Sequence, residues 1–373
     1  MKIPPSASEA ETAVATASDT TVAVSAAPRA QQRNEGGASA REVARGELRR
    51  LLALWRVHEP GARRGEDPEE LHQLRVTARR LDATLGLFKR QLPAPLVRTR
   101  RTAKAVLRSL GAARDLDVQL GELVRYCESL SEEARAAAEP LRARLESERG
   151  RARTHLIRSL DSERTRRWLE TLTLACATGN DGDGDGGEPA TRVMPERVRR
   201  RFRKLRKSVA RVRAKSPMEA YHQVRRRAKQ LRYATECGAA IFGKPAEELL
   251  KALRRLQDRL GSQQDAYMAQ HRLALLAADP DSGLPPATLF LMGRLAEYHA
   301  GRTAEVHRTL TRSWRKVRGR RWKALRGRLA ELTDAASPAA VESSSPGTTD
   351  EAQPPAAVVF RDAIAPELRP IKH

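Results

Sequence analysis

The sequence predicts an all-α fold, and three observations predict it. No stretch alternates apolar and polar residues with period two over a useful length. Apolar residues recur instead at the spacing of one helix face. Two helix-like stretches are copies of one another 150 positions apart: HQLRVTARRL, His72 to Leu81, and HQVRRRAKQLRY, His222 to Tyr233. At that offset His72 meets His222, Arg75 meets Arg225, Arg79 meets Lys229 and Leu81 meets Leu231. The register continues through Pro95 and Pro245, Gly111 and Gly261, and Asp115 and Asp265. Such a repeat means one unit built twice, most simply about an approximate two-fold axis. Each half offers about four amphipathic helices with short connections, the makings of an antiparallel bundle.

Residues 1–38 carry Ala, Ser, Thr and Glu without helical periodicity and read as a disordered tail. The first bundle spans 39–177. Its first helix is expected from about Ala40 to His58, stopped by Glu59-Pro60-Gly61. The first His/Arg helix opens at Asp67-Pro68-Glu69-Glu70 and runs to about Arg90. The next ends at about Gly111, where LGAARDLDV marks a bend or a tight helix–helix approach, and residues 116–176 supply two more helices. Residues 178–192 contain NDGDGDGGEPAT and read as a flexible linker. A calcium loop is disfavoured there, because Arg192 falls where an EF-hand needs glutamate.

The second bundle, 193–330, mirrors the first. A strongly basic helix runs from Pro195 to about Lys215. The second His/Arg helix opens at Ser216-Pro217-Met218-Glu219 and ends near Phe242-Gly243. A third starts at Pro245 and runs into LQDRLGSQQDA, Leu256 to Ala266. Helices at about Tyr267–Ala278 and Pro286–Leu310 follow, with basic Val317–Leu329 extending the last. Residues 331–373 are rich in Pro, Ser and Ala and read as a loose tail.

Charge narrows the partner. Lysine and arginine number 70 against 46 acidic residues, a formal charge of +24, and only 12 of the 70 are lysine. Arginine forks bind phosphate oxygens two at a time, so a polyanion is expected: nucleic acid, polyphosphate or an acidic membrane surface. On each His/Arg helix a cationic stripe sits beside an apolar one. His222, Arg225, Lys229 and Arg232 fall at i, i+3, i+7 and i+10, next to Val224, Ala228 and Leu231. Basic rows follow on the next helices, Arg101, Lys104 and Arg108, then Lys251 and Arg254. Aromatic residues are 4% of the chain, and Tyr233 alone borders either stripe. Base stacking is how single strands are usually held, so an anion without bases fits better. Non-specific nucleic-acid binding, through Pro195–Lys215 and Val317–Leu329, is the alternative.

The three cysteines are scattered, which points to a reducing cytosol. No run of about 18 apolar residues is present to span a membrane. A cytoplasmic protein is expected, on polyphosphate granules or the nucleoid. There is no Walker loop, no carboxylate cluster for magnesium and no activated nucleophile, so no catalytic residue and no cofactor is assigned. His72 and His222 could approach one another across a two-fold axis, but two imidazoles alone make a poor metal site, and no metal is assigned.

HQLRVTARRL with LGAARDLDV, then HQVRRRAKQLRYATE with LQDRLGSQQDA, resembles the conserved histidine α-helical domain, the CHAD family, over roughly residues 40–325. The resemblance implies two four-helix bundles facing each other across a pseudo-two-fold axis. It also implies a basic groove or pore between them that binds inorganic polyphosphate; the missing catalytic motifs add the expectation of binding without catalysis. Carried over by position, it implicates His72, Arg75, Arg79 and Arg80 from the first motif, and His222, Arg225, Lys229, Arg232 and Tyr233 from the second. Arg226 and the rows Arg101, Lys104, Lys251 and Arg254 complete the expected site. Two departures stand out. Asp82 replaces an arginine usual in the first motif, and Gln264 stands where asparagine is common after the second Leu-Gly. The triphosphate tunnel domain of many relatives, marked by alternating glutamates, has no counterpart here.

Overall fold

The computed structural model describes residues 38–177 and 187–335. Most of both expected tails, and the centre of the expected linker, lie outside the described residues. The first half comprises α1 (Ala40–Arg64), α2 (Pro68–Leu87), the short α3 (Ala94–Arg98), α4 (Arg100–Glu128), α5 (Glu132–Asp161) and α6 (Glu163–Ala177). The second comprises α7 (Ala190–Arg211), α8 (Met218–Cys237), the short α9 (Ala239–Phe242), α10 (Lys244–Ala277), α11 (Pro286–Thr303), α12 (Val306–Arg318) and α13 (Arg320–Ala335). The described residues are nearly all helical and form no strand; Ser39 and Pro189 make one isolated antiparallel bridge. The bounds of α2 and α8 differ by 150 residues at both ends, and α1 and α7 begin 150 residues apart.

Several boundaries differ from expectation. The first helix does not stop at Pro60 but continues to Arg64 and ends at Gly65, whose φ of 74° is left-handed. A proline inside a helix costs about 3 kcal/mol. Here Glu59 accepts hydrogen bonds from Trp55 and Arg63 on either side of it, and Gly61 and Ala62 are buried, so side-chain bridges and packing outweigh that cost. Pro195 likewise lies buried inside α7, which starts at Ala190 within the expected linker. Neither Leu-Gly motif bends the chain: α4 and α10 pass straight through, and the helix expected at 267–278 is the end of α10. The stretch expected as one helix over 286–310 is broken at Ala304-Glu305, and α13 starts anew after Gly319. Asp67 caps α2 through the Glu69 amide, but α8 has Pro217 itself at the cap position. Ser216 instead accepts the Arg213 amide at 2.9 Å, closing the preceding turn.

The two halves pack alike. α1 lies on α2, α2 on α4 and α4 on α5; α7 lies on α8, α8 on α10 and α10 on α11. Across the halves α2 meets α8, α1 meets α7 and α5 meets α11. The main apolar core is continuous through both halves rather than divided between two bundles. A smaller core gathers Leu116, Leu123, Leu141 and Leu145 with Leu273, Leu291 and Leu295 from the other half. Backbone bonds from Ala40 to Glu188 (2.9 Å) and from Ala190 to Ala38 (3.0 Å) fasten the starts of α1 and α7 together.

α6 closes the first half through Trp168, whose ring meets Trp55 edge-on with centroids 5.4 Å apart. Both are almost fully buried. Trp168→Ala should therefore cost about 3–5 kcal/mol, read as a lowered urea midpoint at unchanged slope.

Candidate polyanion-binding groove

The rotation of α2 and α8 is set by their apolar stripes. Leu74, Ala78, Leu81 and Leu85 are wholly buried, as are Val224, Ala228 and Leu231. That burial turns the adjacent cationic stripes toward the line where α2 meets α8. Two chambers open there, of about 540 and 430 Å³. Both are lined by Arg75, Arg79, His222, Arg225 and Lys229, so these residues form the waist where the chambers adjoin.

The larger chamber lies among α2, α4, α8 and α10. Beyond the waist it adds Arg114 and Arg272, the carboxylates Asp115, Glu122, Asp258 and Asp265, and His72 and His271. The smaller chamber is far more basic. Arg100, Arg201 and Arg226 join the waist cations, and Asp82 is its one carboxylate; Tyr233 is its one phenol.

The Leu-Gly motifs seat the central arginines. The Arg75 guanidinium lies against Gly111, and Arg225 reaches to 3.0 Å from where a Cβ at Gly261 would stand. The aspartate one turn on faces the same arginine: Arg75 Nη2 is 3.6 Å from Asp115 Oδ1, and Asp265 acts on Arg225 by charge. The tight approach anticipated at these motifs is thus an arginine crossing a bare helix surface. Asp82 has a similar use. It accepts Arg100 Nε at 2.9 Å, beside Gly86, and so fixes in the smaller chamber a cation supplied by α4.

The waist is electrostatically strained. Burial, then Arg79, Arg225 and Arg75, depress the Lys229 ammonium well below its ordinary range. Burial and Arg79 lower Arg75 to about 10, with Asp115 opposing. Burial, Arg200 and Arg197 lower Arg201 to about 10. His222 is lowered by burial and by Arg225 and Arg226, and its Nδ1 is buried without a hydrogen-bond partner. Asp265 lines the chamber, and the protein packed around it raises its carboxyl, with Arg225 opposing and Glu122 adding to the rise.

Of the residues expected from sequence, His72, Arg75, Arg79, His222, Arg225, Arg226, Lys229 and Tyr233 line the chambers. The others line neither. Arg80 and buried Arg232 converge on Glu236, at 3.8 and 3.5 Å, and Arg232 also lies over the Tyr233 ring. Each residue turns a helix by about 100°, so Arg80 falls off the face that carries Arg79. Arg101, Lys104, Lys251 and Arg254 are exposed. Lys104 and Arg254 stand seven positions before Gly111 and Gly261, about 10 Å along the axis. Their rows run past the chambers instead of around them. Sequence reasoning missed Arg100, Arg114, Arg201 and Arg272. Arg201 lay within the strongly basic helix assigned to the nucleic-acid alternative. Its signal was the spacing of Arg197 and Arg201 beside Val198, Phe202 and Leu205; Arg197 is buried and donates to the Leu87 carbonyl and Gln91.

A family model described as the CHAD domain matches residues 46–274. The chain belongs to the CHAD family. Two Mycobacterium tuberculosis proteins, Uncharacterized protein MT2285 (strain CDC 1551 / Oshkosh) and Uncharacterized protein Rv2226 (strain ATCC 25618 / H37Rv), are 29% identical to it over 232 residues. The match covers 60% of this chain and 42% of each of them, so the chain spans less than half the length of these relatives. The CHAD domain of the plant Ricinus communis superposes with a TM-score of 0.61 at 26% identity, over 74% of this chain and 93% of that one. PptA from Streptomyces chartreusis shares the fold, with a TM-score of 0.57 at 20% identity over 74% and 99%. The CHAD match ends within α10, so α11, α12 and α13 lie beyond it. Among the described residues no helix is long and apolar enough to cross a membrane, and no three His, Cys, Asp or Glu side chains gather as a metal site.

A base whose folded-state pKa is depressed binds fewer protons folded than unfolded. Its contribution to stability therefore rises with pH between the depressed value and the ordinary one near 10.5. Lys229→Met should raise the melting temperature of the empty protein by about 2–4 °C for each kcal/mol of repulsion removed. It should also flatten melting temperature against pH across that window, as followed by differential scanning fluorimetry.

Proposed function

We propose that this CHAD chain binds inorganic polyphosphate in the groove between α2 and α8, as a binding protein without turnover. One observation carries the reading. Arg75, Arg79, Arg225 and Lys229 converge on the shared waist, where burial first and their mutual repulsion second depress Lys229 and Arg75. A chain of phosphates threaded past the waist replaces that repulsion with attraction and satisfies donors such as Arg75 Nε, which is buried without a hydrogen-bond partner. Tyr233, largely buried with Arg232 over its ring, is the one Tyr, Phe or Trp ring lining the chambers, which favours a baseless polymer over nucleic acid. Family membership supports the same ligand, and recruitment to polyphosphate granules in the cytoplasm would follow from it.

Arg225→Glu with Lys229→Glu should abolish polyphosphate binding while circular dichroism shows unchanged helix content. The logarithm of wild-type affinity should fall with log salt at about −0.7 per phosphate neutralised, by analogy with single strands. Retained affinity in the double variant, or ready displacement by RNA of equal charge, would overturn the assignment.

Binding should also carry a proton. An anion at the waist raises the Lys229 pKa toward its ordinary value, so polyphosphate binding at a pH between the depressed and the ordinary value should take up protons. Calorimetry in buffers of different ionisation enthalpy should show this uptake in the wild type and less of it in Lys229→Met.

A further inference from the structure

The outer side of α10 carries a second set of cations that the groove does not use. Glu248, Lys251, Arg255 and Arg259 recur at i, i+3, i+7 and i+11, one stripe of the helix. At about 100° per residue its centre lies roughly 120° or more around α10 from the groove-lining Gln257, Gly261 and Gln264. α12 and α13 pack against α10 and bring Lys316 and Arg321 to this stripe. Buried Leu310, Val317 and Leu325 fix those two helices in place. The result is a cavity of about 100 Å³ whose charged lining is Lys251, Arg255, Arg259, Lys316, Arg321 and Glu248.

The charges there do not balance. Glu248 is the one carboxylate in the lining, and it already pairs with Lys251 at 2.8 Å. Its other oxygen is 4.0 Å from Arg321 Nε, too far for a hydrogen bond, and that Nε is buried with no acceptor. Arg321 is held by its Nη1, which donates to the Lys316 carbonyl at 3.4 Å. Among the described residues Arg255, Arg259 and Lys316 make no ion pair. Three unpaired cations and an orphaned guanidinium N–H facing one small cavity match the oxygens of a tetrahedral anion. No aromatic side chain lines it, so nothing there would hold a base. Ser313, Lys316 and Arg321 lie beyond the CHAD match, so the cavity is built partly from residues outside that region.

We propose that the junction of α10, α12 and α13 is a second phosphate-binding site, which takes a phosphoryl group of an inorganic oligophosphate independently of the groove. Arg255, Arg259 and Lys316 neutralise the anion, and Arg321 Nε donates to one of its oxygens. The site is small beside the groove chambers, which suits a single or terminal phosphoryl group.

Tripolyphosphate, short enough to occupy one site at a time, is the probe. Calorimetric titration of the full chain should resolve two classes of site. Arg255→Gln with Lys316→Gln should weaken one class by about tenfold or more and leave the other within about twofold, with helix content unchanged by circular dichroism. Arg321→Lys keeps the charge but removes Nε, and should weaken the same class about tenfold. Arg225→Glu with Lys229→Glu reports on the groove separately. Should that variant leave all binding intact while Arg255→Gln with Lys316→Gln removes it, the junction site stands and the groove reading falls. The junction site is overturned if Arg255→Gln with Lys316→Gln leaves both classes intact. It is also overturned if Arg321→Lys binds as the wild type does, since a diffuse positive field would then suffice, or if single-stranded RNA binds there and tripolyphosphate does not.

Discussion

Like charges held together by apolar burial are the constraint on which the rest of this structure depends. Four cationic side chains from two helices share one waist, and burial prevents them from escaping into water. Leu74, Ala78, Leu81 and Leu85 on one helix, and Val224, Ala228 and Leu231 on the other, are wholly buried. Any rotation that relieved Arg75 or Lys229 would expose that stripe, at about 25 cal/mol for each Å² of apolar surface. The hydrophobic core thus holds the repulsion in place, and the polyphosphate proposed for the groove would relieve it.

The carboxylates around the groove position these cations without cancelling them. Asp115 stands 3.6 Å from Arg75 and remains largely open to solvent, while Asp82 grips Arg100 at 2.9 Å and so aims it into the smaller chamber. Glycines at 86, 111 and 261 lie where guanidinium groups press against helix surfaces. An arginine lying on a helix in this way has few rotamers left, so less entropy is lost when it meets a phosphate. The two chambers also differ. The one that Arg201 joins from α7 has a single carboxylate, whereas four border the other. A polyanion entering the groove would meet the stronger field on the α7 side.

α10 borders both the groove and the α12–α13 junction because its polar residues fall into two stripes. One carries Gln257, Gly261 and Gln264 toward α8, and the other carries Arg255 and Arg259 toward α12. Between them Leu253, Leu256 and Leu260 enter the main core. A helix buried along one stripe and basic along another can present cations in two directions without exposing its apolar residues.

The all-α class, the 150-residue repeat, the His/Arg helices and the central waist residues were legible in the sequence, because helical spacing puts a cationic stripe beside an apolar one and burial of the second orients the first. Sequence spacing places residues on one helix only. It does not say what a neighbouring helix supplies. Arg100, Arg114, Arg201 and Arg272 reach the groove through contacts between α2, α4, α7, α8 and α10, and Arg80 and Arg232 turn instead to Glu236. Pro60 read as a stop because a proline removes a local hydrogen bond, yet the helix passes through it because Trp55, Glu59 and Arg63 bridge the gap and Gly61 and Ala62 are buried. Local chemistry therefore determined the elements and one face of the site. Packing between distant helices decided which charges meet, since repulsion and desolvation act through space and not along the chain.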